Sequence, residues 1–150
     1  MEIITSPNAV LDQKTKPVTS FDQKLAETVD MMVQVKGDKG AVGLAANQIG
    51  IKYQIAVIGF KDKKDKEFSI PELVLINPRI TWKSDDILIQ SERCLSVNKN
   101  DYDVPRPKKI HLQYQDLKGK KVKLKARGIL SRIIQHELDH LNGKKISDYK

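Results

Sequence analysis

His136, Glu137 and His140 stand together in the run Gln135-His136-Glu137-Leu138-Asp139-His140-Leu141. Residues four apart project from one side of a helix, so both imidazoles can reach a single metal ion. A carboxylate beside them can take a proton from an attacking water and later hand it to a leaving amine, the division of labour of metal-assisted amide hydrolysis. The surrounding residues Leu130, Ile133, Ile134, Leu138 and Leu141 are apolar. Burying two imidazoles and a carboxylate among them without partners is costly, which favours a bound cation over two ordinary half-buried histidines.

A catalytic metal takes three protein ligands and keeps a position open for water. His111 is the one other histidine, but it alternates with Gln113 and Gln115 and is expected on an exposed face. Cys94, the single cysteine, lies in Ser91-Glu92-Arg93-Cys94-Leu95-Ser96. It cannot form an intramolecular disulfide, which leaves an inert core thiol, a nucleophile or a metal ligand. The third ligand is the favoured reading, since a cation stabilises a thiolate. In the third segment, Ala41-Val42-Gly43-Leu44-Ala45-Ala46-Asn47-Gln48-Ile49-Gly50, small residues allow close backbone approach and Gln48 offers an amide donor. Alone, that segment could equally be a tightly packed turn.

The elements that position these residues follow from periodicity. Apolar positions from about Arg127 to Leu141 recur at helical intervals and occupy most of the circumference, so this helix belongs inside the domain, ending at Asn142-Gly143. Ser20 and Gln23 have the form of a capping box, and Phe21, Leu25, Val29 and Met32 predict a second helix over 21–36, capped by Gly37. Strands are expected over 53–58 and 73–76, joined antiparallel through a polar turn at 61–66, the second stopping at Asn77-Pro78. Ile110, Leu112 and Tyr114, then Val122, Leu124 and Ala126 beyond the turn at 116–119, predict a hairpin with one buried face and its lysines outward.

The chain of 150 residues suits one domain, residues 1–150, and its 39% hydrophobic and 31% charged composition is that of a water-soluble globular protein. No apolar run approaches a membrane span, and the start lacks a secretory or transit pattern, so a cytoplasmic location is expected. Lys and Arg number 27 against 19 Asp and Glu, a net charge of +8. That balance invites a nucleic-acid reading, yet the excess collects at 61–66 and 118–125, where a turn and a hairpin face would be solvated.

Together the three motifs resemble the peptide deformylase family, whose patterns read Gly-x-Gly-Leu-Ala-Ala-x-Gln, Glu-Gly-Cys-Leu-Ser and Gln-His-Glu-x-Asp-His-Leu. The resemblance extends through Pro7, Lys16-Pro17-Val18, Asn77-Pro78, Val104-Pro105-Arg106-Pro107 and Asp116 to Gly119, most of the chain. It implies an α+β fold in which antiparallel strands surround a central metal-binding helix, with the N-terminal helix packed outside. It also implies a metal-dependent hydrolase that removes the N-formyl group from the formylmethionine of nascent polypeptides, releasing formate.

Carried over by position, the resemblance makes Cys94, His136 and His140 the metal ligands and Glu137 the general acid and base. Gln48 and the backbone N–H of Leu95 would bind the oxyanion. The ion implied is Fe(II), with zinc, nickel or cobalt able to replace it. An apolar slot for the methionine side chain is expected from Val42, Ile129 and Ile133 with the stem of Arg132, and Gly43 beside the substrate. Partners are formylmethionyl peptides and, through the basic surface, the ribosome; no membrane and no specific DNA are expected. The chain stops at Lys150, like the short forms of bacteriophages, without the further C-terminal helix of many bacterial members, and a bacterial or a phage origin would both place it in a bacterial cytoplasm.

Two positions depart from the pattern. Ala41 replaces the first glycine of the first motif, and Arg93 replaces the glycine before the cysteine. If position 93 needed a positive φ, arginine there would cost roughly 1–2 kcal/mol. Two rival readings remain at this level. A zincin-type protease also uses His-Glu-x-x-His on a helix but leaves Gln48 and Cys94 unexplained; a non-catalytic protein could keep the metal for structure and bind nucleic acid or the ribosome through its basic surface.

Overall fold

The structure is a computed structural model that describes residues 2–61, 64 and 69–149. Two helices and seven strands organise it: α1 (Gln23–Asp38), β1 (Gly43–Ala45), β2 (Ile55–Phe60), β3 (Ile70–Lys83), β4 (Ile87–Glu92), β5 (Tyr102–Pro107), β6 (Lys109–Gln115), β7 (Lys121–Arg127) and α2 (Gly128–Leu141). Among the described residues no helix is long and apolar enough to cross a membrane.

One antiparallel sheet runs in the order β1-β2-β3-β6-β7, and β4 with β5 forms a separate antiparallel ribbon. The inward residues Ala56, Ile58, Leu75, Ile110, Leu112 and Ala126 meet Ile133, Ile134, Leu138 and Leu141 of α2 in one core. On the other side of the sheet, Leu25, Val29, Met32 and Val35 of α1 close over Leu44, Ile55, Val57 and Ile76. The sheet is thus covered by a helix on each face where it is apolar on both, which is why β2 reads as a continuous apolar run.

The expected fold class, central helix and outer helix are all present, with shifted boundaries. Asp22, not Ser20, caps α1, its carboxylate accepting the Leu25 N–H at 3.0 Å. The helix also passes through Gly37 and ends one residue later at Asp38, with Gly40 rather than Gly37 taking the left-handed turn at φ 64°. β3 does not stop at Asn77-Pro78. Asn77 adopts φ 52°, the register shifts between Ile76 and Arg79, and the strand resumes to Lys83. The Asn77 amide stabilises this bulge, donating to Val18 O and Gln115 Oε1 while accepting from Val18 N.

The expected β6–β7 hairpin is present, with Leu112 opposite Leu124 and Lys121, Lys123 and Lys125 exposed. His111 is half-buried rather than exposed because its ring packs on Trp82, centroids 4.6 Å apart. The polar turn expected at 61–66 falls largely outside the described residues.

Candidate metal centre and cleft

α2 carries the chemistry. Its N-cap is Arg127, its last turn closes on Gly143 at φ 77°, and its buried face includes Glu137 and His140. The loop after β4 brings Cys94 to the same place. The Cys94 sulfur lies 3.2 Å from His140 Nε2, and one donor atom from each of Cys94, His136 and His140 lies within 4.8 Å of the others. The sequence-predicted trio therefore converges, whereas His111 sits with Trp82 on the face of the large sheet that points away from α2.

Gln48 follows β1 in a tight 3-10 turn, Ala46–Ile49. The Ala45 N–H donates to Gln48 Oε1 at 3.0 Å, which turns the amide NH2 toward Ser96 Oγ at 3.0 Å and the Cys94 sulfur at 3.8 Å. Asn47, beside it, donates from its amide to the His140 carbonyl, tying the turn to α2.

Glu92 is the residue that sequence reasoning missed. Half-buried at the end of β4, its carboxylate accepts from Arg106 Nε at 2.6 Å and Nη2 at 2.9 Å, from Arg132 Nη1, and lies 2.9 Å from His136 Nδ1. The bond to Nδ1 points His136 Nε2 at Cys94 and His140, the orienting arrangement of metal-ligating histidines. Arg106 extends the network to Asp139 at 2.9 Å, whose carboxylate also accepts from the Tyr149 hydroxyl at 2.6 Å. The available signal was a carboxylate two residues before the cysteine.

Electrostatics follow from this packing. Burial alone would raise the Glu92 pKa, but the Arg106 and His136 bonds outweigh it and hold the pKa at about 2. Burial raises the Glu137 pKa to about 7, against the pull of His136 and Arg106. Burial and then the charge of His136 lower the His140 pKa to about 3, so its ring is neutral and free to coordinate. Burial would lower the His136 pKa, yet its bonds to Cys94 and Glu92 and the charge of Glu137 raise it to about 10.

A divalent cation fits that point. One thiolate and two imidazoles make a donor set suited to zinc, iron, nickel or cobalt. Glu137 Oε2 is buried without a hydrogen-bond partner among the described residues, an unmet acceptor beside the trio.

The centre lies at the floor of a cleft of about 760 Å³ lined by Val42, Gly43, Gln48, Cys94, Leu95, Ile129, Arg132, Ile133, His136 and Glu137, among others. Every sequence-predicted site residue except the deeper His140 lines it. Val42 and Ile129 are exposed at its apolar edge, and Ile133 is buried. The Arg132 guanidinium is turned away to Glu92, Val104 O and Leu88 O, leaving the stem on the cleft. Arg93 does not have a positive φ, so the supposed strain is absent; its side chain pairs with Asp101 at 2.9 Å on the cleft wall.

Gly43 has its own constraint. A Cβ built there would lie 2.7 Å from Glu137 Oε1. Gly43→Ala is expected to push the Glu137 carboxylate aside and lower kcat at least about tenfold with metal content unchanged; wild-type kcat in that variant would show that the contact does not position Glu137.

A buried thiol and two imidazoles beside a buried carboxyl, open to a cleft with an apolar wall, define the class of metal-dependent hydrolases. The polypeptide deformylase family model matches residues 1–149. The chain is 37% identical to the peptide deformylase of Rickettsia akari (strain Hartford) over 153 residues, covering 99% of this chain and 86% of that one. It superposes on a probable peptide deformylase from Synechococcus phage S-SSM7 with TM-score 0.90 at 34% identity, covering 99% of each chain. It superposes likewise on the Met-Ala-Ser-bound class I type b peptide deformylase from Acinetobacter baumannii with TM-score 0.92 at 25% identity, covering 100% of this chain and 98% of that one. The chain belongs to the peptide deformylase family, and is an enzyme that removes N-formyl groups from nascent chains.

Proposed function

We propose that Cys94, His136 and His140 hold one divalent cation, Fe(II) in the native protein with zinc, nickel or cobalt as possible substitutes, in a single catalytic domain spanning residues 1–150 that works in the cytoplasm. The observation that carries this reading is the convergence of those three donors beside Glu137 at the floor of the cleft. When bound, the ion polarises the formyl oxygen and acidifies the attacking water.

The protein groups do the rest. Glu137, its pKa raised to about 7 by burial, takes the proton of the water that attacks the formyl carbon and delivers it to the departing nitrogen. The charge that develops on the former carbonyl oxygen is received by the Gln48 amide, whose orientation the Ala45 N–H fixes, and by the backbone N–H of Leu95. Collapse of the tetrahedral adduct breaks the C–N bond, releasing formate and a free α-amine. Glu92 holds His136 in place throughout.

The methionine side chain enters the slot of Val42, Gly43, Ile129, Ile133 and the Arg132 stem, the apolar part of the cleft. A formyl carbon bears only hydrogen beside its oxygen and nitrogen, so a narrow floor admits it and rejects internal amides. The Met-Ala-Ser found in the Acinetobacter baumannii relative suits a cleft of this kind. The test is formate release from formyl-Met-Ala-Ser by protein prepared without oxygen and loaded with iron or nickel, with acetyl-Met-Ala-Ser and an internal-amide peptide alongside. Turnover of the formyl peptide alone is expected; cleavage of internal amides without formate release would overturn the reading in favour of a protease.

A further inference from the structure

The outer face of β3, β6 and β7 lies on the side of the hairpin opposite α2. Ile110, Leu112, Leu124 and Ala126 point into the core, so the alternate residues point out. The register lays them in rows across the strands: Trp82 beside His111 and Lys125, Arg79 beside Gln113 and Lys123, and Gln115 beside Lys121. Lys109 and Arg127 face each other at the edge of the same surface. Trp82 is 47% exposed, its ring tilted 39° against that of His111. None of these cations forms an ion pair among the described residues, and the strands carry no carboxylate in these rows; Asp86 near Lys109 and Asp116 in the hairpin turn lie only at the ends.

We infer that this face binds RNA, with the lysine row of β7 on the sugar-phosphate backbone and the Trp82–His111 pair as a stacking platform for a base. Two features favour RNA over a merely solvated basic surface. Alternate lysines on an extended strand stand roughly 6.8 Å apart, comparable with the phosphate spacing of an extended nucleic-acid strand. Sequence-tolerant recognition of single strands combines such a cationic track with an exposed aromatic ring, whereas attraction to an anionic membrane would need no ring aligned with the lysines. Gln113, between Arg79 and Lys123, adds a neutral donor and acceptor for a ribose hydroxyl. The face is separate from the cleft, so its occupation and peptide turnover are independent.

Trp82 is the sole tryptophan, so it reports directly on its own surface. A short mixed-sequence single-stranded RNA added to the metal-loaded full chain is expected to quench Trp82 fluorescence, with binding that weakens as salt rises. Lys123→Glu with Lys125→Glu should raise Kd at least about tenfold and reduce the slope of log K against log salt by about 1.4, at roughly 0.7 per lost phosphate contact. Trp82→Ala should weaken binding about fivefold or more without changing that slope, and Trp82→Phe should restore most of it, as read by polarisation of labelled RNA. All variants should keep wild-type turnover of formyl-Met-Ala-Ser, which separates this inference from the deformylase reading. Absence of Trp82 quenching in the wild type, RNA binding unchanged in the double lysine variant, or equal quenching by phosphatidylglycerol vesicles would overturn it, the last in favour of a membrane surface.

Discussion

Replacing Glu137 with alanine is expected to lower kcat for formyl-Met-Ala-Ser by about 10²–10⁴-fold while the bound metal stays in place. The carboxyl is buried beside the three converging donors but is not one of the trio, and its Oε2 has no hydrogen-bond partner among the described residues. Its loss removes the proton carrier and leaves the sulfur and the two rings where they are. Removing a buried acid that lacks full hydrogen bonding should not destabilise the fold, and the melting temperature should stay at or above that of wild type. The measurement is single-turnover formate release together with metal content. Turnover close to wild type in the alanine variant would take Glu137 out of the mechanism, and loss of the metal would make it a ligand instead.

Glu92→Ala is expected to have the largest effect on stability. Its carboxylate joins Arg106, Arg132 and His136, and the Arg106 side chain is only 3% exposed. Breaking a buried charge network by removing one member costs about 3–5 kcal/mol, because Arg106 is left with Asp139 as its one carboxylate partner and Arg132 with backbone carbonyls alone. For a chain of this size that corresponds to a fall in Tm of roughly 6–20 °C. His136 also loses the partner that aims Nε2 at Cys94 and His140, so metal affinity should drop about 10–100-fold. Thermal unfolding and metal titration read the two effects separately. Wild-type Tm and affinity in this variant would mean that Glu92 neither ties β4 to α2 nor orients the histidine.

The pattern of what the sequence disclosed follows from which interactions are local. α2 was legible because its apolar positions and its two histidines obey one period along a single element, and the β6–β7 hairpin because one buried face alternates over both strands. Cys94 was found by elimination, since the chain has one cysteine and its other histidine sits among polar alternates. β4 and β5 were not legible. Ile87, Leu88 and Ile89 are all exposed, so no alternation marks the strand, and Pro105 and Pro107 argue against one. In a two-stranded ribbon, alternate backbone groups of β5 face away from β4, and prolines two apart fit there without loss of a ladder bond.

Cross-element pairs stayed hidden for the same reason. Glu92, Arg106, Arg132 and Asp139 come from β4, β5 and α2, and nothing in the spacing of any one of these elements announces that they meet. The strand boundary at Asn77 was misplaced because Asn-Pro signals a turn locally, whereas here the Asn77 amide, donating to Val18 O and Gln115 Oε1 and accepting from the Val18 N–H, holds a bulge inside a longer strand. Gly43 read as a residue for close approach to a substrate, and it lines the cleft as expected; the tighter approach is to Glu137.

X-ray absorption at the edge of the bound metal, in protein purified without oxygen, tests the metal centre most directly. The three converging side chains predict one sulfur and two imidazole nitrogens around the ion, with the sulfur scatterer lost in Cys94→Ala. A coordination sphere without sulfur in the wild type, or one unchanged by that substitution, would contradict the assignment of Cys94, His136 and His140 as the ligands.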